Sequence, residues 1–156
     1  MKTDITVDFV WVPPELSGHS AGPFKGMQLS PDYKIAAEWY GKAAEQGHAR
    51  AQVNLAQLLR DGMGLPRDES KAFQWLLLAA LQGDSVAQTN VAAAYAKGKG
   101  VDKNPEQAAR WMRSAALQGN ATAQWFLASM YRDGEGVPRN PELEELWIQR
   151  AKHESW

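Results

Sequence analysis

A repeat of 36 residues limits the fold of this chain more than any other feature. Tryptophan recurs at this interval at Trp39, Trp75, Trp111 and Trp147. The phrase "AEQGHARAQ" at 44–52 returns as "ALQGDSVAQ" at 80–88 and as "ALQGNATAQ" at 116–124. A fixed period of this size indicates structural units that stack on their neighbours in sequence. The chain of 156 residues is therefore expected to form one repeat array.

The spacing of small and apolar residues predicts two helices in each period. Residues 49–62 and 121–134 place these side chains three and four positions apart, which suits a helix and not a strand. We name this segment helix A. The glycines of the following loops, "GMG", "GKG" and "GEG", come after a helix and lack a third glycine, so they are interpreted as turns and not as phosphate-binding loops.

The second helix, helix B, has clear start and stop signals. Asp68, Asn104 and Asn140 can cap its first backbone donors, and Pro105 and Pro141 can follow at the first helical position. Helix B then ends at a glycine in the repeated phrase, at Gly47, Gly83 and Gly119. The sequence predicts a nearly all-helical chain from Asp32 onward, with one helix B followed by three A/B pairs.

Three repeated residue types are assigned to packing between the helices. The alanine pairs 43–44, 79–80 and 115–116 permit close approach of two helix axes, and each repeated tryptophan is expected to fill the space beside a pair. Gln52, Gln88 and Gln124 are interpreted as ties to the backbone of the preceding repeat.

Both ends of the array depart from the repeat. Glu144, Glu145 and Lys152 stand where earlier B helices have apolar residues, so this face is expected to meet water and cap the stack. Residues 1–31 are assigned to an extended N-terminal arm and a degenerate half-repeat. Residues 4–24 are expected to cover the first helix B with Phe9 and Trp11. The alternative is that the arm docks on a partner or on a second copy.

Composition excludes several classes of function. A net charge of −1 gives no long-range attraction to nucleic acid or to an anionic membrane surface. The chain has no cysteine, which rules out disulfides and thiolate sites and fits a reducing cytoplasm. Asp4 and Asp8 make the first residues a poor secretory signal. The three histidines lack ligand spacing, so we expect no metal site, no cofactor and no catalysis.

The motif A-Q-x-x-[LV]-A, followed by G-x-G-[LV], resembles the Sel1-like repeat family, which is related to tetratricopeptide repeats. The resemblance covers roughly residues 24–152 in three copies in strict phase, with Ala56, Ala92 and Ala128 where the family often has Gly. It implies an all-α fold, an α/α superhelical solenoid that binds other proteins without chemistry of its own. The implied units are a half-repeat at 32–47 and repeats at 48–83, 84–119 and 120–156.

The resemblance also implies a binding surface on the concave side, lined by helix A, which we name the helix A face. The candidate partner-binding residues carried over are Val53, Asn54, Gln57, Arg60, Thr89, Asn90, Trp125, Ser129 and Arg132. A tryptophan near an arginine is a typical hot-spot pair, which favours Trp125 and Arg132. The alternative is that Trp125 packs against the degenerate end of the array.

Three functions follow as hypotheses. The first is a protein-binding adaptor, and the second is an immunity-type inhibitor that neutralises a secreted bacterial toxin by direct binding. The third, a small-molecule hydrolase, has the least support because no serine has a histidine and an acid nearby in the repeat frame. The expected partner is a protein, and the chain is expected to be monomeric unless its arm swaps.

Overall fold

The computed structural model describes residues 32–154, which form seven α-helices and contain no strand. The helices are α1 (Tyr33–Glu45), α2 (Ala49–Asp61), α3 (Glu69–Leu81), α4 (Ser85–Lys97), α5 (Pro105–Leu117), α6 (Ala121–Asp133) and α7 (Pro141–Glu154). Each helix packs mainly against the helices before and after it in the chain. The predicted order is confirmed, with α2, α4 and α6 as A helices and the others as B helices. The expected arm, with Phe9 and Trp11, lies outside the described residues.

The predicted caps of the B helices are formed. The Asp68 side chain accepts a hydrogen bond from the backbone N–H of Lys71 at 2.9 Å, and Asn104 accepts from Gln107 at 3.1 Å. Asn140 accepts from the two backbone N–H groups of residues 142 and 143, each at 3.1 Å. These bonds satisfy donors that have no partner inside the helix. The start of each of these helices is therefore determined by a capping residue in its own segment of the sequence.

The second glycine of each loop makes a close contact with the preceding repeat. Gly100 has a φ of 74°, and a Cβ atom there would lie 2.1 Å from the carbonyl oxygen of Glu69, the first residue of α3. Gly64 and Gly136 stand in the same relation to Tyr33 and Pro105, at 2.2 and 2.0 Å. These glycines allow the loop of one repeat to lie directly on the helix start of the repeat before it.

A buried glutamine ties each A helix to the helix B before it. The Gln88 Nε2 donates to the carbonyl oxygen of Ala80 in the preceding helix B at 3.2 Å, and its Oε1 accepts from Gln118 Nε2 at 2.8 Å. Gln52 makes the same two bonds, with Ala44 at 3.1 Å and Gln82 at 3.0 Å. The predicted tie to the backbone is confirmed, and the bond to the next glutamine extends it.

The core is divided into two main clusters along the array. One cluster spans α1 to α4 and contains Leu55, Leu76 and Val91. The other spans α4 to α7 and contains Met112 and Leu127. The rings of Tyr95 and Trp111 are partly buried and pack against both clusters. The apolar interior thus continues from one repeat to the next through these two rings.

The repeated tryptophans are not equally buried, which corrects the expectation that each fills a core space. Trp147 is 5% exposed, whereas Trp39 is 37% exposed. The Lys42 ammonium lies 5.1 Å from the centre of a Trp39 ring, a cation–π arrangement on a partly solvent-facing ring. Tryptophans that occupy one position of the repeat therefore differ in what they contribute to the core.

The last helix shows the charged face that the sequence predicts. Glu145 and Lys152 are exposed, and Glu144 is half-buried. At the positions equivalent to Glu145 and Lys152, α3 buries Phe73 and Ala80. The Glu145 carboxylate accepts a hydrogen bond from Gln149 Nε2 at 2.6 Å, one turn later in the same helix. This face of α7 carries charged groups where α3 buries apolar side chains.

Candidate functional site

A cleft of about 530 Å³ lies between the ends of α2 and α4 and the first half of α3. Its volume is within the roughly 300–1,000 Å³ typical of ligand-binding pockets. The floor is apolar and consists of Ala72, Phe73 and Leu76 from α3 with Ala93 and Ala94 from α4. We name this feature the α3 cleft.

The α3 cleft exists because α4 carries small residues where the other A helices carry larger ones. Ala93 and Ala94 correspond to Gln57 and Leu58 in α2, and to Ser129 and Met130 in α6. A short side chain at both positions leaves space above the floor. The cleft therefore depends on residues that break the repeat.

The floor of the cleft is held by an aromatic pair. Phe73 is 8% exposed and stands where α1 and α5 have Ala37 and Ala109. Its ring meets the Tyr95 ring edge-to-face, with centroids 5.3 Å apart and planes at 81°. This geometry is a favoured one for two aromatic rings, so the floor has a defined shape.

The rim of the cleft has more basic than acidic groups. Arg60, Arg67, Lys97 and Lys99 line it together with Asp61 and Glu69. Arg67 forms an ion pair with Glu69 at 2.6 Å. Gln57 donates a hydrogen bond to Asp61 at 2.5 Å and accepts one from Arg60. Across residues 32–154, Lys97 and Lys99 form no ion pair, so two ammonium groups of the rim have no carboxylate partner.

Two adjacent aromatic side chains of α6 form a second exposed feature. Trp125 is 45% exposed and Phe126 is 53% exposed. The Ser129 hydroxyl donates to the Phe126 carbonyl oxygen at 2.7 Å and is thus engaged within its own helix. The ring of an exposed tryptophan offers a large apolar area to a partner. Nearly half of the Trp125 side chain is therefore at the surface.

Arg132, near the end of α6, is paired with its neighbour in sequence. Its Nε and an Nη atom lie 3.0 and 3.2 Å from the Asp133 carboxylate. This hydrogen bond raises the pKa of Arg132 above its ordinary value and lowers the pKa of Asp133. Both groups are exposed to solvent, so the pair is easily exchanged for a partner's carboxylate.

Six of the nine predicted binding residues fall into two groups, and Asn54, Val53 and Thr89 belong to neither. Arg60 and Asn90 line the α3 cleft, and Gln57 is hydrogen-bonded to Arg60. Asn54 is half-buried in α2. Trp125, Ser129 and Arg132 lie on α6, outside the lining of the cleft.

Two of the predicted residues have little to offer a partner. Val53 is 8% exposed and belongs to the core cluster of α1 to α4, so its side chain presents almost no surface. The Thr89 hydroxyl donates to the Ser85 carbonyl oxygen at 2.9 Å within α4. Val53, Thr89 and Trp125 occupy the same position of the repeat. Of these three, only the tryptophan is exposed.

The sequence reasoning missed the contribution of helix B and the loops. Phe73, Leu76, Arg67 and Lys99 all line the cleft, but only helix A had been considered. A signal was available, because Phe73 replaces the alanine of two other B helices and Lys99 takes the variable place between two loop glycines. Residues that differ between equivalent positions of the repeats therefore indicate the site in helix B and the loops as well as in helix A.

Two features of residues 32–154 bear on the class of site. Within residues 32–154, no group of three or more His, Asp or Glu side chains is arranged to hold a metal ion. None of the helices in this part of the chain is long and apolar enough to cross a membrane.

The comparisons with known proteins agree on one family. The family model described as Sel1 repeat matches residues 23–48, 49–84, 85–120 and 121–143. No curated protein matches the chain.

Two solved structures are similar at more than 30% identity. The c5321 protective antigen of uropathogenic Escherichia coli, which displays an SLR fold, is 32% identical with a TM-score of 0.78 over 84% of this chain and 28% of its own. A Sel1 repeat protein from Oxalobacter formigenes is 33% identical with a TM-score of 0.73, over 82% of this chain and 51% of its own. The chain thus spans about half or less of these relatives.

Cysteine-rich protein B of Helicobacter pylori shares the fold at 22% identity, with a TM-score of 0.62 over 80% of this chain and 90% of its own.

The 36-residue period, the helix order and the family match lead to one conclusion. The chain belongs to the Sel1 repeat family.

Proposed function

We propose that this chain is a non-catalytic interaction module that binds a protein or peptide partner through the concave helix A face. Sel1 repeat proteins are generally protein-interaction modules. The observation that carries the proposal is the α3 cleft, whose lining departs from the repeat at Phe73, Ala93 and Ala94. A cleft whose lining departs from the repeat offers a surface that the other repeats of this chain lack, and this supports a role in recognition.

The exposed aromatics support the same proposal. Trp125 and Phe126 are adjacent on α6, and both side chains are about half exposed. Tryptophan and arginine are the residues most enriched in binding hot spots, where burial of the ring excludes water from neighbouring polar contacts. In this proposal Trp125 and Arg132 contact the partner on α6, while Gln57, Arg60 and Asn90 contact it at the cleft. Asn54, Thr89 and Ser129 are secondary in this proposal, because Asn54 is half-buried and the hydroxyls of Thr89 and Ser129 already donate within their own helices.

The proposed binding unit is the solenoid of residues 32–156, with residues 1–31 as a separate arm. In this division each repeat unit contributes one stacked layer. The units are the half-repeat 32–47 and the repeats 48–83, 84–119 and 120–156. The ties from Gln52 and Gln88 link successive layers and support a rigid surface. A rigid surface loses less conformational entropy when a partner binds.

The test is affinity capture from the native host with matched variants of the full chain. Trp125→Ala combined with Phe126→Ala should lose the captured partner, because it removes both exposed rings of α6. Trp39→Ala is the control, since it removes a 37% exposed tryptophan from a B helix. If Trp39→Ala loses the partner and the α6 variant retains it, the helix A face is the wrong surface.

The alternative function, neutralisation of a toxin, uses the same surface. The identity of the captured partner distinguishes it from the adaptor function. A captured toxin whose activity falls to zero at one equivalent of this chain would favour the immunity-type inhibitor. A captured partner that keeps its activity when bound would favour the adaptor.

A further inference from the structure

We infer that the α3 cleft binds an extended acidic segment of the partner protein, in which one apolar side chain is flanked by aspartate or glutamate. The inference rests on the proposed function and specifies the chemistry of the partner at one part of the surface. It follows from the combination of an apolar floor and a rim with unpaired positive charge.

The floor selects the apolar side chain. Ala72, Phe73 and Leu76 are between 2 and 8% exposed, and they form a continuous apolar base with Ala93 and Ala94 above it. These five side chains offer no hydrogen-bonding group, so a polar side chain placed against them would lose its water without compensation. An aliphatic or aromatic side chain would instead bury its own apolar area against this base.

The rim selects the acidic flanks. Of its four basic residues, Arg67 is neutralised by Glu69. Arg60 donates a hydrogen bond to the Gln57 side-chain oxygen, and the Gln57 side-chain nitrogen donates to Asp61. Lys97 ends α4, and Lys99 follows two residues later in the loop, so two ammonium groups that form no ion pair within residues 32–154 lie at one side of the cleft. Carboxylates next to the apolar anchor would meet these groups at short range, where the attraction is least screened.

A nucleic acid strand fits these observations less well. Proteins that bind single strands combine a basic groove along the backbone with aromatic faces on which bases stack. Here the two unpaired lysines are at one side, the Phe73 ring is 8% exposed, and the chain has a net charge of −1. The cleft offers one anchoring site with local positive charge, which suits a short peptide segment.

The experiment is a selection from a random peptide library against the full chain, followed by fluorescence anisotropy with the selected peptides. The expected peptides contain one Leu, Ile, Phe or Met flanked by Asp or Glu. Lys97→Glu with Lys99→Glu should weaken their binding by roughly tenfold or more, corresponding to at least about 1.4 kcal/mol. Added salt should weaken binding to the wild-type chain and not to this variant.

Two further variants separate charge, shape and folding. Lys71→Glu with Lys152→Glu changes the net charge equally at two exposed sites outside the cleft, and Lys152 shares with Lys97 a place in the last turn of its helix. This control should leave binding unchanged. Ala93→Leu places a larger side chain in the cleft and should weaken binding through the apolar anchor. Circular dichroism and thermal melting of each variant show that the fold is retained.

Each outcome decides the inference. Acidic-apolar peptides that are sensitive to both cleft variants support it. Peptides that are insensitive to the cleft variants but are lost with Trp125→Ala overturn the inference and leave the proposed function standing. Peptides that depend on neither feature overturn both, and binding of a labelled oligonucleotide that is lost with the two-lysine variant would replace the peptide by a nucleic acid.

Discussion

The side-chain amide of Gln118 donates a 2.8 Å hydrogen bond to Gln88, which lies 30 positions earlier in the chain and is 6% exposed. Gln88 in turn donates to the Ala80 carbonyl oxygen. One buried amide thus joins a backbone acceptor of the preceding helix B to a side chain of the next one. Replacing Gln88 would remove a hydrogen bond from both the Ala80 carbonyl oxygen and the Gln118 side-chain amide, so the effect on stability can be predicted.

Gln88→Leu should lower the free energy of unfolding by about 1–3 kcal/mol, because it removes two hydrogen bonds worth about 0.5–1.5 kcal/mol each, and the Ala80 carbonyl oxygen keeps the Gly83 N–H at 3.0 Å. Urea denaturation measures this. Gln74→Leu, on the exposed side of α3, is the control and should change stability by about 0.5 kcal/mol or less. Equal effects of the two substitutions would show that the inter-repeat bonds contribute nothing net.

Gly100→Ala should be strongly destabilising, since the new Cβ would lie 2.1 Å from the Glu69 carbonyl oxygen. Gly83→Ala is the matched control: φ there is +97°, but nothing lies within 4 Å of the added Cβ. The control should cost only backbone strain, about 1–3 kcal/mol. The difference between the two melting temperatures measures the clash between repeats, and no difference would mean that the loop can move away at little cost.

Trp147→Ala should cost about 3–5 kcal/mol, as expected for removal of a buried aromatic side chain. Trp39→Ala should cost clearly less, because the Trp39 side chain is 37% exposed while Trp147 is 5% exposed. Chemical denaturation of both variants tests this. The result would contradict the structure if the order of the two losses were reversed.

Trp125→Ala should leave the melting temperature almost unchanged, because substitutions at the surface usually alter stability by about 0.5 kcal/mol or less. Leu127→Ala, two positions later and 0% exposed, is the control and should cost about 2–5 kcal/mol. Differential scanning calorimetry distinguishes them. A large loss for Trp125→Ala would make this ring part of the core and remove it from the binding surface.

Asp84 has two separable interactions, and two substitutions distinguish them. Its side chain caps α4 by accepting from the Ala87 N–H at 2.9 Å, and it pairs with Arg50 at 3.2 Å. Asp84→Asn keeps a capping oxygen and should cost about 0–1 kcal/mol. Asp84→Ala also removes the cap and should cost an additional 0.5–2 kcal/mol or so. Identical losses measured by thermal unfolding would mean that the cap is not contributing.

Much of the fold could be predicted from the sequence because its signals are local. The caps at Asp68, Asn104 and Asn140 act within three residues, and the helix order follows from them directly. The tie made by Gln88 was predicted because the glutamine recurs in phase. Its second bond, to Gln118, was not, because it requires knowing which face of helix B approaches helix A.

The site was harder to predict because it depends on volume. The α3 cleft is defined by side chains that are absent, at Ala93 and Ala94, and by rim groups from three helices and two loops. Val53 and Trp125 share one position of the repeat, yet Val53 is 8% exposed and Trp125 is 45% exposed. Repetition shows which residues share a position, but not how much room each one has.

The placement of Tyr95 and Trp111 also affects how this chain melts. An array of repeats behaves as a row of units whose joint unfolding depends on the free energy of each junction. Both rings belong to the two core clusters at once, so opening either half of the array strips contacts from the other. These two rings therefore couple the halves of the array at the α4–α5 junction, and their loss should make unfolding less cooperative.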